Sequence, residues 1–413
     1  MQRTTERFCR VLIASTVTLV LAMQAGAATG LPVPAAARIE PAPLPAPADV
    51  DAAMLRAMSA TGARGLALAV VDGGRVVSVH AHGERNAAGE PLQASTVMYG
   101  ASLTKTVFAY TVMQLVDEGR LDLDRPIAEY LDRPLPDYPA EDRYGPWPDL
   151  ASDPRWRRLT ARMLLTHSAG FANFAFVEPD GKLRFHFEPG QRYAYSGEGL
   201  ILLQFVLERG LGLDLGEEMQ RRVFAPLGMK DTGMMWRPAF AANLADGWRA
   251  DGSVEPHDER SVPRAAGSMD TSIADIARFA AALVRGDSLS QEAHTELWRA
   301  QRPITTATQF PSLQPELPQD QRIQDLHASL GAIRFTGPQG PGLYKGGHND
   351  STGNTMVCLQ RGQRCVVILS NDVRAEPAFP CLVRAILGDT AVPWRWEYGA
   401  MVFTPAPQTC GRP

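Results

Sequence analysis

The sequence of 413 residues has no run of lysine or arginine long enough to make a basic patch, and its formal net charge is −4 with a pI of about 6.1. Nothing in the charge pattern points to nucleic acid or to an anionic membrane surface as a partner. Beyond the N-terminus, no stretch is apolar over the ~20 residues that a membrane-spanning helix needs. A G-x-S-x-G motif is missing, which argues against the nucleophile elbow of an α/β-hydrolase. So are a phosphate-binding P-loop and a dinucleotide fingerprint, and no cofactor is implied. There is no H-E-x-x-H and no internal repeat. Cysteine is scarce, with five in the whole chain, and none forms a thiol-nucleophile or zinc pattern.

What is present begins with a secretory pattern. Arg3, Arg7 and Arg10 precede an apolar stretch from Val11 to Ala22, and Ala25-Gly26-Ala27 supplies small residues for cleavage. Residues 1–27 are thus expected to be a signal peptide, with export to the periplasm or medium and no stable membrane span in the mature form. Cys9 leaves with the signal; Cys358, Cys365, Cys381 and Cys410 remain, and export permits disulfides among them. A hairpin turning at Arg361-Gly362 sets Cys358 opposite Cys365. A bridge there and unpaired buried thiols both fit the sequence.

Residues 28–48 are rich in proline and alanine and read as an extended spacer. The composition, 45% hydrophobic and 21% charged, suits one large domain or two closely joined ones. The folded domain is expected over 49–396, followed by a tail at 397–413. Leu66–Val71 and Arg75–His80 are β-prone runs joined by Asp72-Gly73-Gly74. Val107, Phe108, Val112, Leu115 and Val116 follow helical spacing after Ser102, with Gly119 as the stop. From 120 to about 300, helices such as 199–210 and 272–285 alternate with loops. Strand character returns at 344–348, 355–359 and 365–370, before a last helix at 378–387. The fold class expected is α/β of the α+β type. An antiparallel sheet of about five strands (sheet part 49–100 and 325–396) is flanked by terminal helices and interrupted by a large, mostly helical insertion at 101–324.

Ser102-Leu103-Thr104-Lys105 is an S-x-x-K motif at the start of a helix. Positions i and i+3 share a helix face, with Cβ atoms about 5–6 Å apart, so the Lys105 amine can reach the Ser102 hydroxyl. A serine hydroxyl is a weak nucleophile until a neighbour takes its proton. A lysine serves as that neighbour only when burial or a nearby cation lowers its pKa. His80 and His82 share one side of a strand and have the chemistry of metal ligands. With no third ligand in the pattern, they read as a strand end and no metal is expected. His167 reads as a structural residue of its loop.

The order of several phrases resembles the serine β-lactamase and penicillin-binding protein superfamily, in particular its class C β-lactamase, D-alanyl-D-alanine carboxypeptidase and esterase branch. The phrases run from Tyr99-Gly100-Ala101-Ser102-Leu103-Thr104-Lys105 through Leu164-Leu165-Thr166-His167-Ser168-Ala169-Gly170 and Pro226-Leu227-Gly228-Met229. Ala266-Gly267-Ser268-Met269 and Leu369-Ser370-Asn371 complete the series. The resemblance implies a β-lactamase/transpeptidase-like fold and further site residues. Tyr195 corresponds to the tyrosine of the Tyr-x-Asn motif, a phenol expected to be acidified between two lysines. Gly197 stands where the family often has asparagine, which bears on how a substrate amide would be gripped; Glu198 beside it reads as structural. For the third motif, Lys345-Gly346-Gly347 competes with His348-Asn349-Asp350. The small third residue favours the former, with the His348 backbone N–H joining that of Ser102 as an oxyanion donor. The expected catalytic set is Ser102, Lys105, Tyr195 and Lys345, with Gly347, His348 and Gly197 contacting substrate.

The function implied is a serine hydrolase forming an acyl-enzyme from an ester, amide or β-lactam carbonyl of a small molecule or peptide. A catalytically idle penicillin- or peptidoglycan-fragment-binding protein on the same fold is the alternative. Substrate and oligomeric state are not written in the sequence.

Overall fold

The computed structural model describes residues 43–406. The expected signal at 1–27, the first part of the spacer and Cys410 lie outside them.

The first element among the described residues is helix α1, Pro47–Thr61, whose first residues fall in the stretch read as spacer. Proline suits a first helical turn, because N–H groups there have no intrahelical partner. Val50, Met54 and Ala57 form its buried stripe, and Gly62 ends it at φ 72°. The other helices that matter here are α2 (Leu103–Asp117), α3 (Gly197–Phe205), α4 (Ile273–Arg285), α5 (Phe379–Leu387) and the short α6 (Trp394–Tyr398).

β1 (Gly65–Asp72) and β2 (Arg75–Gly83) form the first hairpin, with Gly73 and Gly74 both at positive φ. The later strands are β3 (Arg302–Pro303), β4 (His327–Ala328), β5 (Ile333–Gly337), β6 (Gly340–His348), β7 (Gly353–Leu359) and β8 (Arg364–Ser370). Among the described residues they make one eight-stranded sheet in the order β2-β1-β8-β7-β6-β5-β4-β3. Every neighbouring pair is antiparallel. The expected count of about five was therefore low. β5 is a five-residue strand with arginine and glycine in it, and β3 and β4 have two residues each, too short to show a period.

The central strands are covered on both faces. Ala67, Ala69 and Val71 of β1 point into a core shared with α2 and α4, whereas Leu66, Leu68 and Val70 point into a second core under α1 and α5. This is the period of 2 expected of a strand, with both faces apolar. Burying each of Leu66 and Leu68 stabilises the fold by roughly 1.5–3 kcal/mol. β7 and β8 turn through Arg361–Gln363 with Gly362 at φ 73°. Cys358 lies opposite Cys365 with Cα atoms 4.1 Å apart, and the two are disulfide-bonded. His80 Nδ1 and His82 Nε2 both lie 2.7 Å from Asp51 Oδ1, which ties β2 to α1.

Candidate active site

Ser102 sits where a short strand gives way to α2. Met98–Tyr99 pairs with Asp270–Thr271, and Gly100 N–H donates to Met269 O at 2.8 Å. Ala101 then takes φ 46°, a left-handed conformation that costs a non-glycine residue about 1–2 kcal/mol. Thr104 stabilises the bend: its Oγ1 donates to Ala101 O at 2.6 Å and accepts from Met269 N at 3.1 Å. Ser102 is thereby turned into a pocket of about 790 Å³.

Three side chains converge there. Lys105 Nζ lies 3.0 Å from Ser102 Oγ and donates to Ala266 O at 2.5 Å. Tyr195 OH donates to Ser102 Oγ at 2.9 Å from the other direction. Tyr195 is held by its neighbour Ser196, which caps α3 by accepting from Gly199 N–H, and by the His167 ring stacked on it at 4.4 Å. His167 also contacts Ser196 through Nδ1, as expected of a structural residue, and burial keeps its imidazole neutral by lowering its pKa well below the ordinary value.

Lys345 comes from β6. The ladder between β6 and β5 ends at Tyr344–Ile333, so the strand's last residues have an edge free for the site. Lys345 Nζ lies 5.3 Å from the centre of the Tyr195 ring and donates to Gly346 O at 2.5 Å. Gly347 is where the strand comes closest to the nucleophile. A Cβ there would lie 2.9 Å from Ser102 N and 3.0 Å from Leu103 N, so only glycine fits without moving backbone. The His348 side chain turns toward Glu376, with Nδ1 3.3 Å from Oε1, and this carboxylate raises its pKa.

Burial controls the electrostatics. Lys105 is 2% exposed, and desolvation, aided by the charge of Lys345, pushes its pKa well below a lysine's ordinary value. Lys345 is pushed down to about 8 by burial, against a smaller upward pull from Glu397. The expectation of an acidified Tyr195 is not met. Burial raises the phenol's pKa and Glu397 adds to the rise, outweighing the hydrogen bond to Ser102.

The sequence matches the Beta-lactamase family over residues 50–387. The chain belongs to the β-lactamase family.

Among individual relatives, the chain is 32% identical over 184 residues to a protein named lovastatin esterase from Penicillium rubens, a stretch covering 38% of this chain and 45% of that one. The match thus spans less than half of that relative's length. Two solved structures share the fold. A penicillin-binding protein homologue from Pyrococcus abyssi, described as octameric, superposes with a TM-score of 0.62 at 19% identity, covering 79% of this chain and 74% of the other. The D-alanine carboxypeptidase AmpC from Burkholderia cenocepacia superposes with a TM-score of 0.61 at 18% identity, covering 79% and 94%.

Several pocket residues of this β-lactamase family member carry no motif. Glu397 of α6 lines the pocket, buried, and its Oε2 accepts from Gln309 Nε2 at 2.8 Å. Its approach explains Gly346, where a Cβ would meet Glu397 Oε1 at 2.3 Å. Glu397 lies past the family match, in the stretch read as a tail, and no sequence signal tied it to the site. Phe310 packs edge-on against Tyr195 at 5.2 Å. Phe174 and Phe176 line the pocket near Gly197.

Proposed function

We propose that this protein is an exported serine hydrolase working through an acyl-enzyme on Ser102, with an ester, amide or β-lactam carbonyl of a small molecule or peptide as its target. The observation carrying this reading is the Ser102 hydroxyl between Lys105 Nζ at 3.0 Å and Tyr195 OH at 2.9 Å, beside the pocket. The relative named for esterase activity and the carboxypeptidase of the same fold support it. Export is supported by the signal-like N-terminus and by the Cys358–Cys365 bridge.

The directions of the pKa shifts support the following roles. Lys105, with its lowered proton affinity, is the base in the free enzyme, and Tyr195 enters neutral as a proton donor. Ser102 Oγ attacks the carbonyl carbon and its proton passes to Lys105 Nζ. The oxyanion is held by the backbone N–H groups of Ser102 and His348. On collapse, Tyr195 OH protonates the leaving group and recovers a proton from Lys105. Water then attacks the acyl-enzyme, losing a proton to Lys105, and Ser102 leaves reprotonated.

Intact-mass measurement after treatment with a fluorophosphonate and with a panel of esters, D-peptides and β-lactams tests this. The wild type gains one adduct and Ser102→Ala gains none. Equal labelling of the two rules the mechanism out. Lys105→Ala and Tyr195→Phe are expected to slow acylation by about 10²–10⁴-fold each.

A further inference from the structure

Gly197 occupies the place where the resemblance leads one to expect asparagine, and that place is filled. A Cβ on Gly197 would lie 2.3 Å from Phe174 Cζ and 2.5 Å from Phe174 Cε1, well inside any non-bonded contact. The phenyl ring takes the space an asparagine side chain would need. The loop carrying the ring is pinned at three points. Gly197 N–H donates to Asn173 Oδ1 at 2.9 Å, Glu198 N–H donates to Asn173 O at 2.9 Å, and Ala175 N–H donates to Glu198 Oε2 at 2.9 Å. Glu198 is buried and has this structural task. Phe176 stacks on Phe174 at 5.0 Å with the planes 11° apart, yet Phe176 is 75% exposed. A large ring left in water at the rim of a pocket marks a place for apolar contact. Ile201, Val262 and Phe310 line the same pocket. On this side of the pocket Arg260 is paired with Asp258 and with Asp270.

We propose that Phe174 and Phe176, admitted by Gly197, form an apolar shelf that binds the acyl chain of an uncharged ester, so that the enzyme selects esters of medium-length aliphatic acids over β-lactams and D-peptides. The proposal rests on the acyl-enzyme reading above and specifies its substrate class. Where an asparagine would grip a substrate amide, this chain offers a ring face with no hydrogen-bonding group. A chain of several methylenes gains by leaving water for that face. An amide laid on it would lose its water partners without replacement.

The test is the kcat/KM of the full mature chain on p-nitrophenyl acetate, butyrate, hexanoate and octanoate, alongside nitrocefin and a D-alanyl-D-alanine peptide. The wild type is expected to prefer hexanoate to acetate by about tenfold or more, since each well-bound methylene is worth a several-fold gain. Phe174→Ala and Phe176→Asp are expected to reduce that ratio to about threefold or less; the second site is exposed, so that variant tests the shelf without disturbing the core. Gly197→Asn is expected to lower the melting temperature, and adding Phe174→Ala to recover it, because the clash is with that ring. A flat or falling chain-length profile, or faster turnover of nitrocefin or the D-peptide than of every ester, overturns the shelf while Ser102 labelling still stands. Loss of both labelling and turnover in the wild type overturns the acyl-enzyme reading itself, and the shelf with it.

Discussion

Lys105 and Tyr195 touch the same serine oxygen, and burial moves their proton affinities in opposite directions. Desolvation disfavours whichever form carries charge, so an amine becomes less basic and a phenol less acidic. In the mechanism we propose, the base at neutral pH is therefore the amine. For a neutral ester, kcat/KM should rise with pH through a midpoint well below 10.5, as Lys105 loses its proton, and show no fall by pH 10. A fall near pH 10 would assign the titration to an ordinary phenol. Lys345 gives a second, separable signal. Its charge is lost as pH rises through about 8, so a substrate bearing a carboxylate should show a rising KM above that pH while a neutral ester does not. Glu397→Gln removes an influence that holds the Lys345 pKa up, and should move this rise to lower pH. An unchanged KM profile in Glu397→Gln would show that the carboxylate does not act on Lys345. At this scale the motif residues were legible, because S-x-x-K and Gly347 encode contacts between near neighbours or backbone approach. Glu397, Phe310 and Phe174 were not, since each reaches the pocket across a long stretch of chain and no local spacing announces it.

Among the elements, legibility followed length and periodicity. α4 reads clearly from sequence, with a serine cap at Ser272, a stripe of buried residues and Gly286 at its end. β1 and β8 read as apolar runs because helices cover both their faces. Only the entry of α1, Pro47 and Ala48, was taken into the spacer, because the stretch before it is rich in proline; the helix that follows was not read as one, although Val50, Met54 and Ala57 have helical spacing. The β7–β8 hairpin was legible in its register, since Arg361-Gly362 fixes Cys358 opposite Cys365, but not in its chemistry. The bridge closes a loop of few residues inside strands that are already paired, so its benefit is modest. Replacing Cys358 and Cys365 together by alanine is expected to lower stability by on the order of 2 kcal/mol. Because neither residue lines the pocket, the rate of Ser102 labelling by a fluorophosphonate should stay within about twofold, allowing for the usual scatter of distant substitutions. Chemical denaturation together with labelling kinetics checks both; a large loss of labelling in a folded variant would mean that the hairpin positions the site.

For the whole molecule, the site is a burden on the fold. Two lysines are buried between the sheet edge and the helical part, 2% and 4% exposed, and neither has a salt bridge within 4.0 Å among the described residues. Such groups persist where function demands them, at the expense of stability. The sign follows from proton counting. The Lys345 pKa is near 8 in the folded protein against an ordinary 10.5, so the unfolded chain binds more protons between these values. Stability then rises with pH across that window, and the penalty is fully present below about pH 8. At 1.36 kcal/mol per unit, the shift corresponds to about 3 kcal/mol. Lys345→Met keeps the length of the side chain and removes the charge, at the loss of one hydrogen bond to Gly346 O worth about 1 kcal/mol. The variant is therefore expected to be more stable than the wild type at pH 6 by about 2 kcal/mol, with the advantage shrinking and reversing as pH approaches 10.5. Denaturant unfolding at pH 6, 8 and 10 measures it. A stability difference that does not change with pH would mean that Lys345 keeps its ordinary proton affinity in the fold, and would remove the basis for its titration near pH 8 in substrate binding.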